Sequence, residues 1–120
     1  MSLTIAQMVQ RVGEELSLVP IGQDLESQDK LRIQSTYVET YERIKLSGYA
    51  TWSSTESIPS EAVPYVALMM EEKLLTSYSV PDSRYQRIKL DAGNNGDTAL
   101  LNLSKVAINS YESTEDERDF

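Results

Sequence analysis

The residues best suited to chemistry in this chain are two pairs of adjacent carboxylates, Glu14–Glu15 and Glu71–Glu72. Two carboxyl groups can serve as general acid and general base when both reach the same substrate. Both pairs fall in segments with helical apolar spacing, where consecutive side chains point about 100° apart. Neither pair can therefore act on one substrate alone, and carboxylate catalysis would need side chains that converge from different helices.

Other motifs that carry chemistry are missing from the sequence. The chain has no histidine and no cysteine, which removes the usual general base near neutral pH, thiol nucleophiles and thiolate metal sites. It has neither a G-x-S-x-G motif nor a glycine-rich loop that would cradle a phosphate. The segment 91–97, DAGNNGD, lacks the ligand order and the final glutamate of a calcium loop, which favours a plain turn. We therefore expect no enzyme activity, no cofactor and no bound metal.

One basic cluster stands out, in which Arg84 and Arg87 lie one helical turn apart with Lys89 to the side. It has two interpretations. A solvated face would be balanced by Asp82 and Asp91. A binding face would contact an acidic partner, such as a second copy of this chain, whose net charge is −8.

The charge balance also bears on nucleic acids and membranes. With 19 acidic against 11 basic residues, the chain lacks a basic surface for gripping DNA phosphates, while like charge would let DNA pass an assembly without being held. No apolar run approaches the roughly 20 residues of a membrane span, and the N-terminus lacks a signal-peptide pattern. We expect a protein folded in the cytoplasm that makes no membrane contact.

The apolar spacing predicts an all-α fold: a small bundle of four to five helices with an extended acidic C-terminal tail. The first helix covers residues 4–16 and begins with a capping box formed by Thr4 and Gln7. The second runs from about 28 to 47 and ends before Gly48, a residue suited to a helix C-terminus.

The chain after Pro81 is predicted to hold two further helices. Asp82 or Ser83 would cap the first of them, and Asp97 would cap a last, short helix after a break at Gly93–Gly96. The acidic, polar composition after residue 109 indicates a tail that is disordered in the isolated chain. The predicted organisation is therefore a helical domain, 1–109, and a flexible tail, 110–120.

The stretch 58–75 organises the bundle, because its apolar residues predict a long helix. A second apolar side, off the main stripe, carries Leu68, Met69 and Leu75. Such a helix either lies at the centre of a bundle or also meets a second chain. Ser60 is the predicted N-cap and Pro64 belongs in the first turn, so the helix should begin at residues 60–62.

Aromatic residues are predicted to pack around the loop 49–59. Trp52 is either the anchor of this loop on the bundle or an interface hot spot, and its place between two helices favours the anchor. Tyr37 and Tyr41 share the apolar stripe of the second helix and lack interleaved basic residues, which favours core packing over base stacking.

The order of these features resembles a known family. It consists of a capped first helix ending in ELSL (15–18), a loop with Trp52, the segment IPSEAVPY (58–65) opening a long apolar helix, and Arg84–Tyr85 opening the next. Together these are similar to the small head–tail connector (adaptor, or head-completion) proteins of tailed bacteriophages. The similarity covers about residues 3–92, whereas the break at Gly93–Gly96 interrupts what is often a continuous final helix in that family.

The resemblance implies a helical subunit of a homo-oligomeric ring, commonly of twelve copies, in the virion neck and in the host cytoplasm during assembly. Such a ring binds the portal protein, extends the channel through which DNA passes without sequence-specific binding, and offers a platform to tail or neck proteins. In that family the C-terminal segment often reaches the portal. This implies portal contacts for Tyr111, Glu115, Asp116 and Phe120.

Subunit contacts are predicted at the second apolar side of the central helix and at the basic cluster. The residues concerned are Leu68, Met69, Leu75, Arg84 and Arg87. Three alternatives to the ring subunit remain: another phage assembly or regulatory protein, a nucleic-acid-binding helical module and a carboxylate-based hydrolase. A nucleic-acid-binding helical module conflicts with the charge, and a carboxylate-based hydrolase would need a pocket of converging acidic side chains.

Overall fold

The computed structural model describes the backbone of residues 2–118 and the side chains of residues 2–107. Within this range the helices are α1 (Ile5–Glu15), α2 (Ser27–Leu46), α3 (Val63–Leu74), α4 (Asp82–Ala92) and α5 (Asp97–Arg118), with a short 3-10 turn, Asn94–Gly96, before α5. Extended pairing among the described residues is limited to one antiparallel bridge between Leu3 and Ile58. The predicted all-α bundle is confirmed.

Helix α3 lies at the centre of the bundle and contacts α1, α2, α4 and α5. Val66 and Met70, on its main stripe, are fully buried, and Met69 and Leu75, on its second apolar side, are each only 4% exposed. Because the other helices cover both sides, Met69 and Leu75 have no surface left for a second copy. Their assignment to a subunit interface is corrected to the core, whereas Leu68 is half-buried.

The capping box predicted for α1 is confirmed, but the predicted caps of α3 and α4 are wrong. Ser60 lies in a turn before α3, which starts three residues later with Pro64 in its first turn and no side-chain cap. Neither Asp82 nor Ser83 caps α4; Asp82 is already its first residue, and Pro81 precedes it. At both starts a proline fixes φ near the helical value, which favours helix initiation without a side-chain acceptor.

Trp52 anchors the loop between α2 and α3. Its indole N–H donates to the Tyr37 hydroxyl at 3.1 Å, and the Tyr41 hydroxyl donates to the Trp52 carbonyl at 2.6 Å. The indole also packs edge-on against the Tyr41 ring, with centroids 5.8 Å apart. All three side chains are buried, so the tyrosines belong to the core as predicted and offer no ring face for base stacking.

The predicted break after α4 is confirmed by three residues with positive φ: Gly93 at 77°, Asn95 at 60° and Gly96 at 73°. This backbone conformation is open to glycine and tolerated by asparagine. Arg43 of α2 then holds the start of α5 through a 2.6 Å ion pair with Asp97. The turn therefore redirects the chain so that α5 packs beside α3.

Helix α5 is longer than the short last helix that the sequence predicts. It extends to Arg118, past the boundary placed between residues 109 and 110. The side chains of Tyr111, Glu115 and Asp116, and the whole of Phe120, lie outside the described residues, so the portal contacts and the disorder expected for residues 110–120 remain predictions. None of the helices in the described chain has the length and apolar character needed to cross a membrane.

Candidate functional site at Arg84 and Glu71

Three of the predicted interface residues, Leu68, Arg84 and Arg87, line one cleft of about 350 Å³ between α3 and α4. The other lining residues are Glu15, Glu71, Ile88 and Asp91. The cleft thus combines apolar walls, two guanidinium groups and three carboxyl groups. Sequence spacing placed Asp91 beside the arginines, but only the packing of α1 and α4 against α3 brings Glu15 and Glu71 to them.

Arg84 joins α4 to the end of α1. Its guanidinium donates to the backbone carbonyl of Glu15 at 2.6 Å, and a cation at a helix C-terminus is favoured by the helix dipole. Arg84 and Glu15 also line a second cleft, of about 450 Å³, beneath the loop after α1. Ile21 on that loop is 90% exposed, so the surface beside Arg84 is partly apolar.

The other two members of the basic cluster differ. Lys89 fits the interpretation of a charge-balanced, solvated face, whereas Arg87 fits that of a binding face. Lys89 is neutralised within the chain, because its ammonium group lies 2.9 Å from the Glu72 carboxylate. Arg87 lies 3.8 Å from Asp91 on its own helix, and its side chain remains 81% exposed. An exposed pair of this kind contributes little to stability, so the Arg87 guanidinium is free to take a stronger partner.

Glu71 is the residue that sequence reasoning missed. Its side chain is 3% exposed, and its Oε2 atom is buried without a hydrogen-bond partner among the described residues. Burial, followed by a hydrogen bond to Glu15 and the negative charge of Glu15, raises the pKa of Glu71 to about 9, against a smaller lowering by Arg11 and Arg84. With its pKa raised to about 9, Glu71 is protonated at neutral pH.

A signal for this burial was present in the sequence. Glu71 lies one helical turn after Ala67 and Leu68 and one turn before Leu74 and Leu75, and residues three and four apart share a helix face. An acidic residue surrounded in this way by apolar neighbours is expected to point into the core. Glu71 was considered only as a member of the pair Glu71–Glu72, and its buried position was therefore not predicted.

The two carboxylate pairs diverge, as the helical geometry requires. Glu14 accepts from the backbone N–H of Gly22 at 3.0 Å, whereas Glu15 faces Arg11 at 2.9 Å and the Glu71 cleft. Glu72 turns to α4. Glu15 and Glu71 therefore converge from different helices, the arrangement that a carboxylate hydrolase would need.

Convergence alone does not make this pair an active site. Glu71 is only 3% exposed, so its carboxyl group offers little surface to a substrate. The part of the chain that the structure describes contains no group of three or more acidic, histidine or cysteine residues able to hold a metal ion. Exposed guanidinium groups beside apolar walls are, in contrast, typical of protein contact surfaces.

No family model, curated protein or solved structure that was compared with the chain matches it.

Proposed function

We propose that this chain is a structural subunit of a ring in the neck of a tailed bacteriophage. The ring would bind the portal protein, prolong the DNA channel and provide the surface to which the tail attaches. The features that resemble the connector family are consistent with this role: a central apolar helix preceded by a tryptophan-anchored loop and followed by a helix with Arg84 in its first turn. The function then depends on assembly rather than on conversion of a small molecule.

The observation that carries the proposal is the surface around Arg84. It combines the exposed guanidinium group of Arg87, the half-buried Leu68 and the exposed Ile21. Arginine and apolar side chains are enriched where proteins contact one another. On a chain with net charge −8, the exposed Arg87 guanidinium group offers this surface a contact to acidic partners, including other copies of the same chain.

The net charge also suits a channel for DNA. A ring built from such subunits would surround the phosphate backbone with like charge, which keeps a polyanion mobile instead of holding it. The same charge opposes the runner-up function, a nucleic-acid-binding module, because phosphate contacts need clustered lysine and arginine. Retention of the chain on DNA-cellulose at low salt would favour that runner-up.

A co-sedimentation experiment with purified portal rings tests the proposal. We expect the wild-type chain to sediment with the portal, and Arg87→Glu to lower the bound fraction several-fold while the fold is retained. Lys105→Glu is the matched control, since it makes the same charge change at an exposed position on α5. Absence of wild-type binding at every salt concentration, or equal loss in both variants, would contradict the role given to this surface.

A further inference from the structure

Among the described residues, α4 buries fewer side chains than the other helices that pack on α3. Ile88 and Ala92 are its buried residues, and no side chain caps its first turn. Helix α1, which is equally long, buries four residues, and Met8 and Val12 among them are fully buried. Segments with little buried surface are the first to separate from a native protein. We therefore expect α4 to open more readily than α1.

The side chain of Glu71 lies where the opening of α4 would expose it. It lines the cleft between α3 and α4, together with Ile88 of α4 and Glu15 of α1. Glu71 is 3% exposed, and its Oε2 atom is buried without a hydrogen-bond partner among the described residues. A carboxylate buried in this way is strongly unfavourable. Ionisation of Glu71 therefore favours a movement that admits water to the cleft.

The charges around Glu71 do not offset the cost of its ionised form. The charged groups that face it from α1 and α4 are Arg11, Glu15, Arg84, Arg87 and Asp91. Arg11 already pairs with the Glu15 carboxylate, and Arg84 donates to the Glu15 backbone carbonyl. Arg87 lies nearest to Asp91 on its own helix. Burial, followed by the effect of Glu15, therefore outweighs the cations and raises the pKa of Glu71 to about 9.

We propose that loss of the Glu71 proton drives the opening of α4, in which this helix separates from α3 while α1, α2 and α3 stay folded. The opening would carry Arg84 and Arg87, which belong to α4, away from Leu68 of α3. The surface around Arg84 is then complete only while Glu71 keeps its proton. This device belongs to the fold and does not depend on which partner that surface binds.

The direction of the pH dependence follows from proton linkage. In the closed state the pKa of Glu71 is about 9, whereas in the open state water reaches the carboxyl group and its pKa returns toward the ordinary value of 4.5. The closed state therefore binds the proton more tightly. The equilibrium constant for opening should rise about tenfold for each pH unit between these two values and level off above the higher one.

Amide hydrogen exchange followed by mass spectrometry measures the opening of each helix separately. We define protection as the exchange rate of the unstructured chain divided by the measured rate at the same pH. Between pH 6 and pH 8 the protection of the α4 amides should fall about a hundredfold. In Glu71→Gln it should stay constant, because glutamine is neutral at both pH values. Glu72→Gln is the matched control; it removes the ion pair with Lys89 and should lower α4 protection by the same factor at both.

Urea distinguishes the opening of α4 from unfolding of the whole chain. The opening of one helix exposes little surface, so low urea concentrations should change the protection of α4 much less than that of α3. An equal urea dependence in both helices would show global unfolding alone and overturn the proposal.

Three other results would also overturn it. Protection of α4 that does not change with pH in the wild type would show that Glu71 does not control the opening. A fall of the same size in Glu71→Gln would assign the pH dependence to another group. A fall confined to α1 would show that the other wall of the cleft moves.

Discussion

Replacement of Glu71 by glutamine should remove a large pH dependence of stability. In the folded chain the pKa of Glu71 is about 9, compared with the ordinary value of 4.5. The native state therefore binds this proton more tightly than the unfolded chain does. The stability that the proton provides is complete below pH 4.5 and is lost as the pH rises toward 9.

The size of the effect follows from proton linkage. Each pH unit between these two pKa values lowers the free energy of unfolding by about 1.4 kcal/mol. Between pH 5 and pH 8 this group alone should remove about 4 kcal/mol, an amount comparable with much of the net stability of a small domain. Glutamine is neutral at every pH and has nearly the same shape, so the Glu71→Gln variant should show a much flatter profile and be the more stable protein at pH 8.

Urea unfolding followed by far-ultraviolet circular dichroism, from pH 5 to pH 8, measures this difference. Glu72→Gln is the matched control, because it removes a carboxylate from the neighbouring residue, whose partner is Lys89. That variant should lose at most about 1 kcal/mol, evenly across the range. The lowered pKa values of Glu14 and Glu56 act below pH 4.5, outside the window. Parallel profiles for wild type and Glu71→Gln would refute the buried, protonated state of Glu71.

Three further changes test the packing. Tyr37→Phe leaves the buried N–H of Trp52 without its acceptor and should lower the free energy of unfolding in urea by about 1–3 kcal/mol; an unchanged value would contradict the loop anchor. Gly13→Ala places a Cβ atom 2.6 Å from Leu25 Cδ2, so thermal unfolding should show net destabilisation despite alanine's helix preference of about 1 kcal/mol. Leu75→Asp buries a charge in the core and should abolish the cooperative unfolding transition; a folded variant would contradict the placement of Leu75.

Local sequence signals predicted those parts of the fold that depend on neighbouring residues. The capping box at Thr4, the position of α2 and the turn at Gly93–Gly96 all follow from chemistry within a few positions. The corrected caps of α3 and α4 have the same local origin, because a side-chain acceptor was expected where Pro64 and Pro81 already favour the helix start. The first residue of such a helix depends on small differences in free energy between neighbouring start positions. The residue types alone do not show which start position is the most stable.

The features that sequence patterns missed depend on contacts between distant segments. Met69 and Leu75 were open to two interpretations, and only the arrangement of four helices around α3 makes them core residues. Gly13 looked unfavourable within a helix until the packing of Leu25 against it explained the absence of a side chain. Glu71 is buried beside Glu15 of α1, a juxtaposition that the chain order does not display.

Electron microscopy of the chain mixed with a purified portal protein of a tailed bacteriophage tests the central claim most directly. The account predicts an added ring beneath the portal, with the subunit symmetry of a closed assembly and a continuous axial channel. Portal particles that remain unchanged at saturating concentrations of the folded chain would contradict it.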